Sequence, residues 1–171
     1  MGDEDVYVAP SPIHGEGVFA RRPFKKGERI LAIDDSCVVT EEDPLLPEAG
    51  GTPERYDDLA GGKVVRLRPP HFTNHSCSPS SYAKTIDGVR YRIALRDIPP
   101  GEEITSDYCI NGRGDTVWQC NCGSRRCRRT IHSDYFHLPL TLQLEYLPLL
   151  DDWFVEENQM LVDRLSQNAN A

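Results

Sequence analysis

Four cysteines have the number and spacing of a metal centre. Cys77 closes the tetrapeptide Asn74-His75-Ser76-Cys77, and Cys120, Cys122 and Cys127 form a C-x-C-x4-C triplet. Thiolates are soft ligands that select Zn²⁺ among the common metals. Four of them fill a tetrahedral shell and leave no position for a substrate, so the expected role is structural. The bland alternative is a set of scattered thiols in a loop. Gly123-Ser124 inside a short Cys-bounded loop argues against it. A metal shared between Cys77 and the triplet would pin the C-terminal segment beside Asn74-His75, giving a composite site.

Other residues carry less chemistry on their own. His14-Gly15-Glu16-Gly17 has two glycines that allow close backbone approach to a ligand. It lacks the rest of a dinucleotide fingerprint, and composition alone reads it as a simple turn. His75 reads equally as a hydrogen-bonded core histidine or as a site residue. Tyr108 ends the run Gly101-Glu102-Glu103-Ile104-Thr105-Ser106-Asp107-Tyr108, where a half-buried strand tyrosine is the plain reading. Cys37 and Cys109 read as packing residues. Arg125, Arg126, Arg128 and Arg129 read as solvated cations that offset thiolate charge.

The elements positioning these residues are short. Strands are expected at Val6–Val8, Gly17–Ala20, Arg29–Ile33, Val64–Leu67, Val89–Leu95 and Glu103–Asp107, divided by Gly/Pro turns, which makes a mostly β domain. Residues 40–63 are acidic and rich in Pro and Gly, and read as a loop or variable insert. The last stretch is Leu-rich. It suggests a helix over Thr141–Leu147 stopped by Pro148, then a second helix capped by Asp151 or Asp152 with Phe154, Leu161 and Leu165 inward. This hairpin reads as packing on the domain rather than as a dimerisation or target-binding element. The expected divisions are 1–117, a metal-bound segment at 118–135 and a helical extension at 136–171.

Composition limits the function classes. The 171 residues suit one domain, and 27 acidic against 19 basic side chains give a formal charge of −8. That balance disfavours sequence-independent nucleic-acid binding, which rests on phosphate neutralisation by Lys and Arg. It suits a basic partner such as a Lys/Arg-rich peptide. The N-terminus shows no export signal, and no apolar run approaches a membrane span. The six cysteines therefore read as reduced or metal-bound, in a cytoplasmic or nuclear protein that is not secreted. Oligomeric state is not legible.

Taken in order, Ser11-Pro12-Ile13-His14-Gly15-Glu16-Gly17-Val18-Phe19-Ala20, Asn74-His75-Ser76-Cys77, Gly101-to-Tyr108 and the cysteine triplet resemble the motifs of SET-domain protein lysine methyltransferases. The Ser-Pro-Ile-His-Gly start and short post-SET segment are similar to the trithorax-like group. The resemblance implies a SET-domain (β-clip) fold with knot-like C-terminal threading, a zinc-bound post-SET segment and C-terminal helices. It implies S-adenosylmethionine as methyl donor, contacted by His14, Gly15, Glu16, Gly17, Asn74, His75 and Asn121. It implies Tyr108 as the catalytic tyrosine, a channel involving Ser106, Tyr82 and Trp118, and a histone or other basic protein as the lysine substrate. A SET-fold module that binds a basic peptide without turnover is the alternative.

The chain also departs from the family pattern. Ser106 stands where relatives usually carry Phe or Tyr, and its small side chain leaves room for a product beyond monomethyl-lysine. Ile33 stands where many relatives place a cofactor-contacting tyrosine, and His71 replaces a common Arg.

Overall fold

The computed structural model describes residues 3–44, 56–68 and 70–168. Eleven short strands and three α-helices are present among them. Strands β1 (Val6–Pro10), β2 (Glu16–Ala20), β9 (Glu103–Ser106) and β6 (Asn74–His75) lie side by side in that order. β1 and β2 form an antiparallel hairpin that brings the Ser11–Gly15 turn to one end of the sheet. β6 runs parallel to β9, with Asn74 opposite Thr105 and His75 opposite Ser106. This two-residue pairing sets Asn74-His75 beside the strand that leads into Tyr108.

A second sheet orders β3 (Arg29–Ala32), β8 (Val89–Ala94) and β7 (Ser81–Ile86). Sequence reading missed β7, whose Ser81-Tyr-Ala-Lys-Thr-Ile86 has no clean alternation. Between the two sheets Val18, Ala20, Phe24, Ile30, Leu31, Val65, Phe72, Ala94, Ile98 and Ile104 form the first core. Strand residues of both sheets supply part of it, while Phe24, Phe72 and Ile98 enter from the connections.

The acidic insert is not structureless. β4 (Tyr56–Asp58) pairs antiparallel with β5 (Val64–Arg66), and a 3₁₀ turn at Ala60–Gly62 joins them. The part of the insert at 45–55 lies outside the described residues.

The C-terminal third has its own core. A hairpin of β10 (Val117–Gln119) and β11 (Thr130–His132) closes the cysteine loop. Helix α1 (Leu140–Tyr146) ends where Pro148 enters a 3₁₀ turn. The expected second helix is two, α2 (Asp152–Glu157) and α3 (Gln159–Asn168), broken at Asn158, whose side-chain amide bonds the Phe154 carbonyl. Asp151 is the N-cap, accepting from the Asp152 amide. Phe154 and Leu165 face inward as expected, but Leu161 is exposed and Val162 takes the buried position. With Ile131, Tyr135, Leu138, Tyr146 and Leu150 they form a second core that also takes in Cys77 and Cys109 from the body of the domain. Among the described residues, no helix is long and apolar enough to cross a membrane.

Gly112 lets these two parts close on each other. A Cβ there would lie 2.0 Å from the Ser133 carbonyl oxygen and 2.6 Å from that of Tyr108, both backbone atoms with little freedom to retreat. Gly112→Ala is expected to lose about 1–3 kcal/mol of stability, the range of overpacked interiors. A urea titration would read it, and an unshifted midpoint would contradict the close packing described.

Candidate active site

The turn after β1 is held from beneath. Asn74 is buried and its Nδ2 donates to the carbonyls of His14 (3.0 Å) and Glu16 (3.2 Å) and to Glu103 Oε1 (2.8 Å). Ser11 Oγ bonds both carboxylate oxygens of Glu103 at 2.9 Å. Glu103 is pressed so close that a Cβ at Gly17 would fall 2.2 Å from its Oε1. Glycine at 17 lets the carboxylate come this close; a larger residue would push Glu103 off its bonds to Ser11 and Asn74. At 15 the chain needs glycine for conformation, with φ +51° and open space around the missing Cβ. His14, Gly15 and Glu16 are exposed on this buttressed turn.

His75 links three parts of the site. Its Nδ1 accepts from the Tyr108 amide at 3.2 Å, and its Nε2 lies 3.5 Å from Cys77 Sγ. Its ring meets Tyr108 and Trp118 edge-on, with centroids 5.2 Å and 5.5 Å away. Burial holds its pKa down to about 4 and the Arg128 cation adds to this, outweighing the Asp107 carboxylate. The imidazole is thus neutral near pH 7, with Nδ1 as acceptor and Nε2–H directed at the sulfur.

Asp107, beside Tyr108, is fully buried and forms an ion pair with Arg128 at 2.8 Å. Tyr146 donates to its other oxygen at 3.2 Å, and the Cys109 amide to Oδ1 at 3.1 Å. Arg128 is therefore not the solvated cation its sequence context suggested. Arg126 pairs with Glu145 on α1, while Arg125 and Arg129 are exposed. Cys109 donates to the His132 carbonyl at 3.0 Å, and burial pushes its thiol well above the ordinary range, consistent with packing.

The sulfurs of Cys77, Cys120, Cys122 and Cys127 lie within 4.8 Å of one another, with Cys77 and Cys120 3.8 Å apart. A tetrahedral ion with Zn–S bonds of about 2.3 Å requires edges of ~3.8 Å, so the thiols fit a metal. Burial works to raise the Cys122 thiol, but its neighbours, Ser124 foremost, outweigh that and bring it below the usual range.

A cavity of about 600 Å³ opens beside Tyr108, lined among others by Thr73, Tyr82, Ser106 and Trp118. The three expected channel residues are thus together. Tyr108 donates its hydroxyl proton to the Thr73 carbonyl at 2.7 Å, and the hydroxyls of Ser106 and Thr73 are bonded at 2.8 Å. The insert contributes Tyr56, Asp57 and Asp58, β8 contributes Arg90 and Arg92, and the C-terminal extension contributes Asp151 and Trp153. The turn residues and Asn74 do not line this cavity. Asn121 is exposed between two cysteines and has no side-chain hydrogen bond to Asn74 or His75.

A β-rich domain in which an Asn-His strand runs parallel to a strand that leads into a cavity tyrosine defines a recognisable class. The SET-domain family profile matches residues 15–109, more than half of the chain, and the chain belongs to that family. Histone-lysine N-methyltransferase 2B of Homo sapiens is 32% identical over 142 residues, covering 75% of this chain and 5% of its own length. The trithorax histone-lysine N-methyltransferase of Drosophila virilis is 29% identical over 138 residues, covering 74% of this chain and 4% of its own. The histone H3-lysine(4) N-trimethyltransferase ATX1 of Arabidopsis thaliana is 31% identical over 135 residues, covering 71% and 13%.

Sequence reasoning did not single out Thr73, Glu103, Asp107 or the two arginines of β8. Glu103 and Asp107 lie within a quoted motif, and their charge at either end of the Ile104-Thr105-Ser106 run was the available signal. Glu103→Ala would leave Ser11 and Asn74 without their shared acceptor. Amide exchange across 11–17 should accelerate, with a stability loss of about 1–3 kcal/mol. Unchanged exchange there would mean another contact holds the turn.

Proposed function

We propose that this chain is an S-adenosylmethionine-dependent protein-lysine N-methyltransferase whose catalytic residue is Tyr108. The observation that carries the reading is the Tyr108 hydroxyl in the cavity wall, bonded to the Thr73 carbonyl. Its one proton goes to that carbonyl, so toward an incoming amine the oxygen can act only as an acceptor. An accepting oxygen takes one N–H of an incoming amine and aims the nitrogen lone pair. The names of the three relatives given above, each a histone-lysine or histone H3-lysine methyltransferase, support the same class of protein substrate.

The exposed turn at His14, Gly15, Glu16 and Gly17, with Asn74, His75 and Asn121, is the proposed cofactor site. Its open backbone at Gly15 fits a ligand that must come close. Bound S-adenosylmethionine would supply a methyl group on a sulfonium centre. The chain supplies the rest. Attack requires a deprotonated lysine amine in line with the breaking methyl–sulfur bond. Passage along Tyr82, Trp118 and Trp153 strips water from the ammonium and lowers its pKa. Nitrogen gains the methyl, the bond's electron pair stays on sulfur, and the surplus proton leaves to water. No carboxylate base is needed.

We assign the four thiols to a structural Zn²⁺. It would join the β10–β11 hairpin to the Asn74–Cys77 segment, and through His75 to the Tyr108 backbone.

Labelled methyl transfer to core histones and to a cell lysate tests the activity. Tyr108→Phe should reduce it about a hundredfold or more, since positioning errors cost that much. Mass spectrometry of the product should show di- or trimethyl-lysine, for which Ser106 leaves space. Equal labelling by Tyr108→Phe would remove the residue from the mechanism. Cofactor binding retained with no transfer to any protein would favour a binding module.

Removal of the metal with a chelator should loosen the second core and weaken cofactor binding together, because Cys77 and His75 share one segment. Trp118 and Trp153 fluorescence and calorimetric titration with the cofactor would follow both. Full cofactor affinity in verified metal-free protein would separate the two sites.

A further inference from the structure

The cavity is lined by a cation, Arg92, whose Nε has no hydrogen-bond partner among the described residues. Residues two apart on a strand share a face, so β8 directs Arg90 and Arg92 to the same side. Arg90 takes two carboxylates, Asp35 at 2.5 Å and Asp57 at 2.6 Å. Arg92 is only 4% exposed and lines the cavity. Its Nε has no hydrogen-bond partner, and among the described residues no carboxylate forms an ion pair with it. Burial lowers its pKa to about 10, with Asp57 pulling the other way and Arg90 adding repulsion.

Most of the other charged groups of the cavity are committed; the Asp58 carboxylate on the insert also lines it and, among the described residues, has no ion pair. Asp57 is held by Arg90, Asp107 by Arg128, and Asp151 by Thr85 and the Asp152 amide. Arg113 takes Glu157 and the Leu59 carbonyl, while Ser106 and Tyr108 both bond Thr73. Water in the open cavity can answer it in the free protein, but once a substrate displaces that water the buried guanidinium is costly unless the substrate brings an acceptor. A lysine ammonium cannot do this, since it carries donors only. The acceptor must come from another part of the substrate. A guanidinium fork matches a carboxylate in two parallel hydrogen bonds, with charge assisting both.

We propose that Arg92 is a specificity-determining residue that receives an acidic side chain of the substrate, so that the protein selects a lysine with Asp or Glu within a few residues of it. This rests on the lysine-methyltransferase reading of the cavity. It also narrows the partner expected from net charge: a uniformly basic peptide leaves Arg92 unanswered, whereas one of mixed charge does not.

The probes are fluorescent peptides with one central lysine and either Glu, Gln or Ala at each flanking position in turn. Binding is measured by anisotropy, and methyl transfer from labelled S-adenosylmethionine is followed in parallel. Wild type should bind its best Glu peptide about tenfold or more tightly than the Gln and Ala counterparts, as expected for a charge-assisted hydrogen bond. Arg92→Met should erase that preference and raise KM for the Glu peptide while leaving kcat within a few-fold. Arg92→Lys, which keeps the charge and loses the fork, should retain part of the preference. The wild-type comparison needs no variant and stands even where Arg92→Met fails to fold.

Equal binding across the set, or no binding to any peptide, overturns the proposal. So does a Glu preference that survives in folded Arg92→Met, or a Gln peptide that matches Glu, which would assign a neutral acceptor. A Glu preference lost in Arg92→Met without methyl transfer would sustain the docking role and remove the methyltransferase reading. Transfer with no acid preference would do the reverse.

Discussion

The carboxylate of Asp107 is the constraint on which the rest of the site depends. It is fully buried, which is tolerable only with a full set of partners. Those partners come from three directions: Arg128 beyond β10, Tyr146 from α1, and the Cys109 amide next to it in sequence. Arg128 follows the last cysteine of the metal set, and Asp107 precedes Tyr108. One ion pair therefore fixes the distance between the thiol cluster and the cavity tyrosine. Breaking either half would strand a buried charge, a larger loss than the pair itself contributes.

His75 complements this from the other side. A neutral imidazole can accept at one nitrogen while donating at the other, and here the two roles face the Tyr108 amide and the Cys77 sulfur. A lysine or a carboxylate at that position could not do both. The family motif is thus a physical requirement in this chain: Asn74 holds the β1–β2 turn, His75 holds the backbone at Tyr108, and Cys77 holds the C-terminal hairpin.

Much of this was legible in the sequence because it depends on local chemistry. Four cysteines at fixed spacing, glycines at the β1–β2 turn and the Asn-His pair keep their meaning wherever the chain folds. Most of the strands followed from β-branched runs between Gly/Pro turns. What could not be read depends on pairing between distant segments. β4 hides in an acidic insert because its strand character comes from β5 and from the Arg90–Asp57 contact rather than from its own residues. Arg128 looked like one of four loop cations until the fold turned it toward Asp107. Arg90 and Arg92 alternate with Val89, Tyr91 and Ile93 along β8, and only the tertiary structure, which buries both, separates the doubly paired arginine from the one whose Nε has no partner among the described residues. Leu161 lost its inward place to Val162 because Asn158 breaks the helix and resets its phase.

The cavity wall is drawn from the insert, the central sheet, the cysteine hairpin and the start of α2. Glu157 on α2 reaches the Gly61 amide at 2.7 Å and Arg113 at 2.7 Å, lacing the tail to the insert across the rim. Among the described residues no single loop supplies the cavity wall. On the substrate-channel reading, a change of target would need matched changes in segments far apart in the chain, and the tail would carry as much of that history as the motif-bearing core.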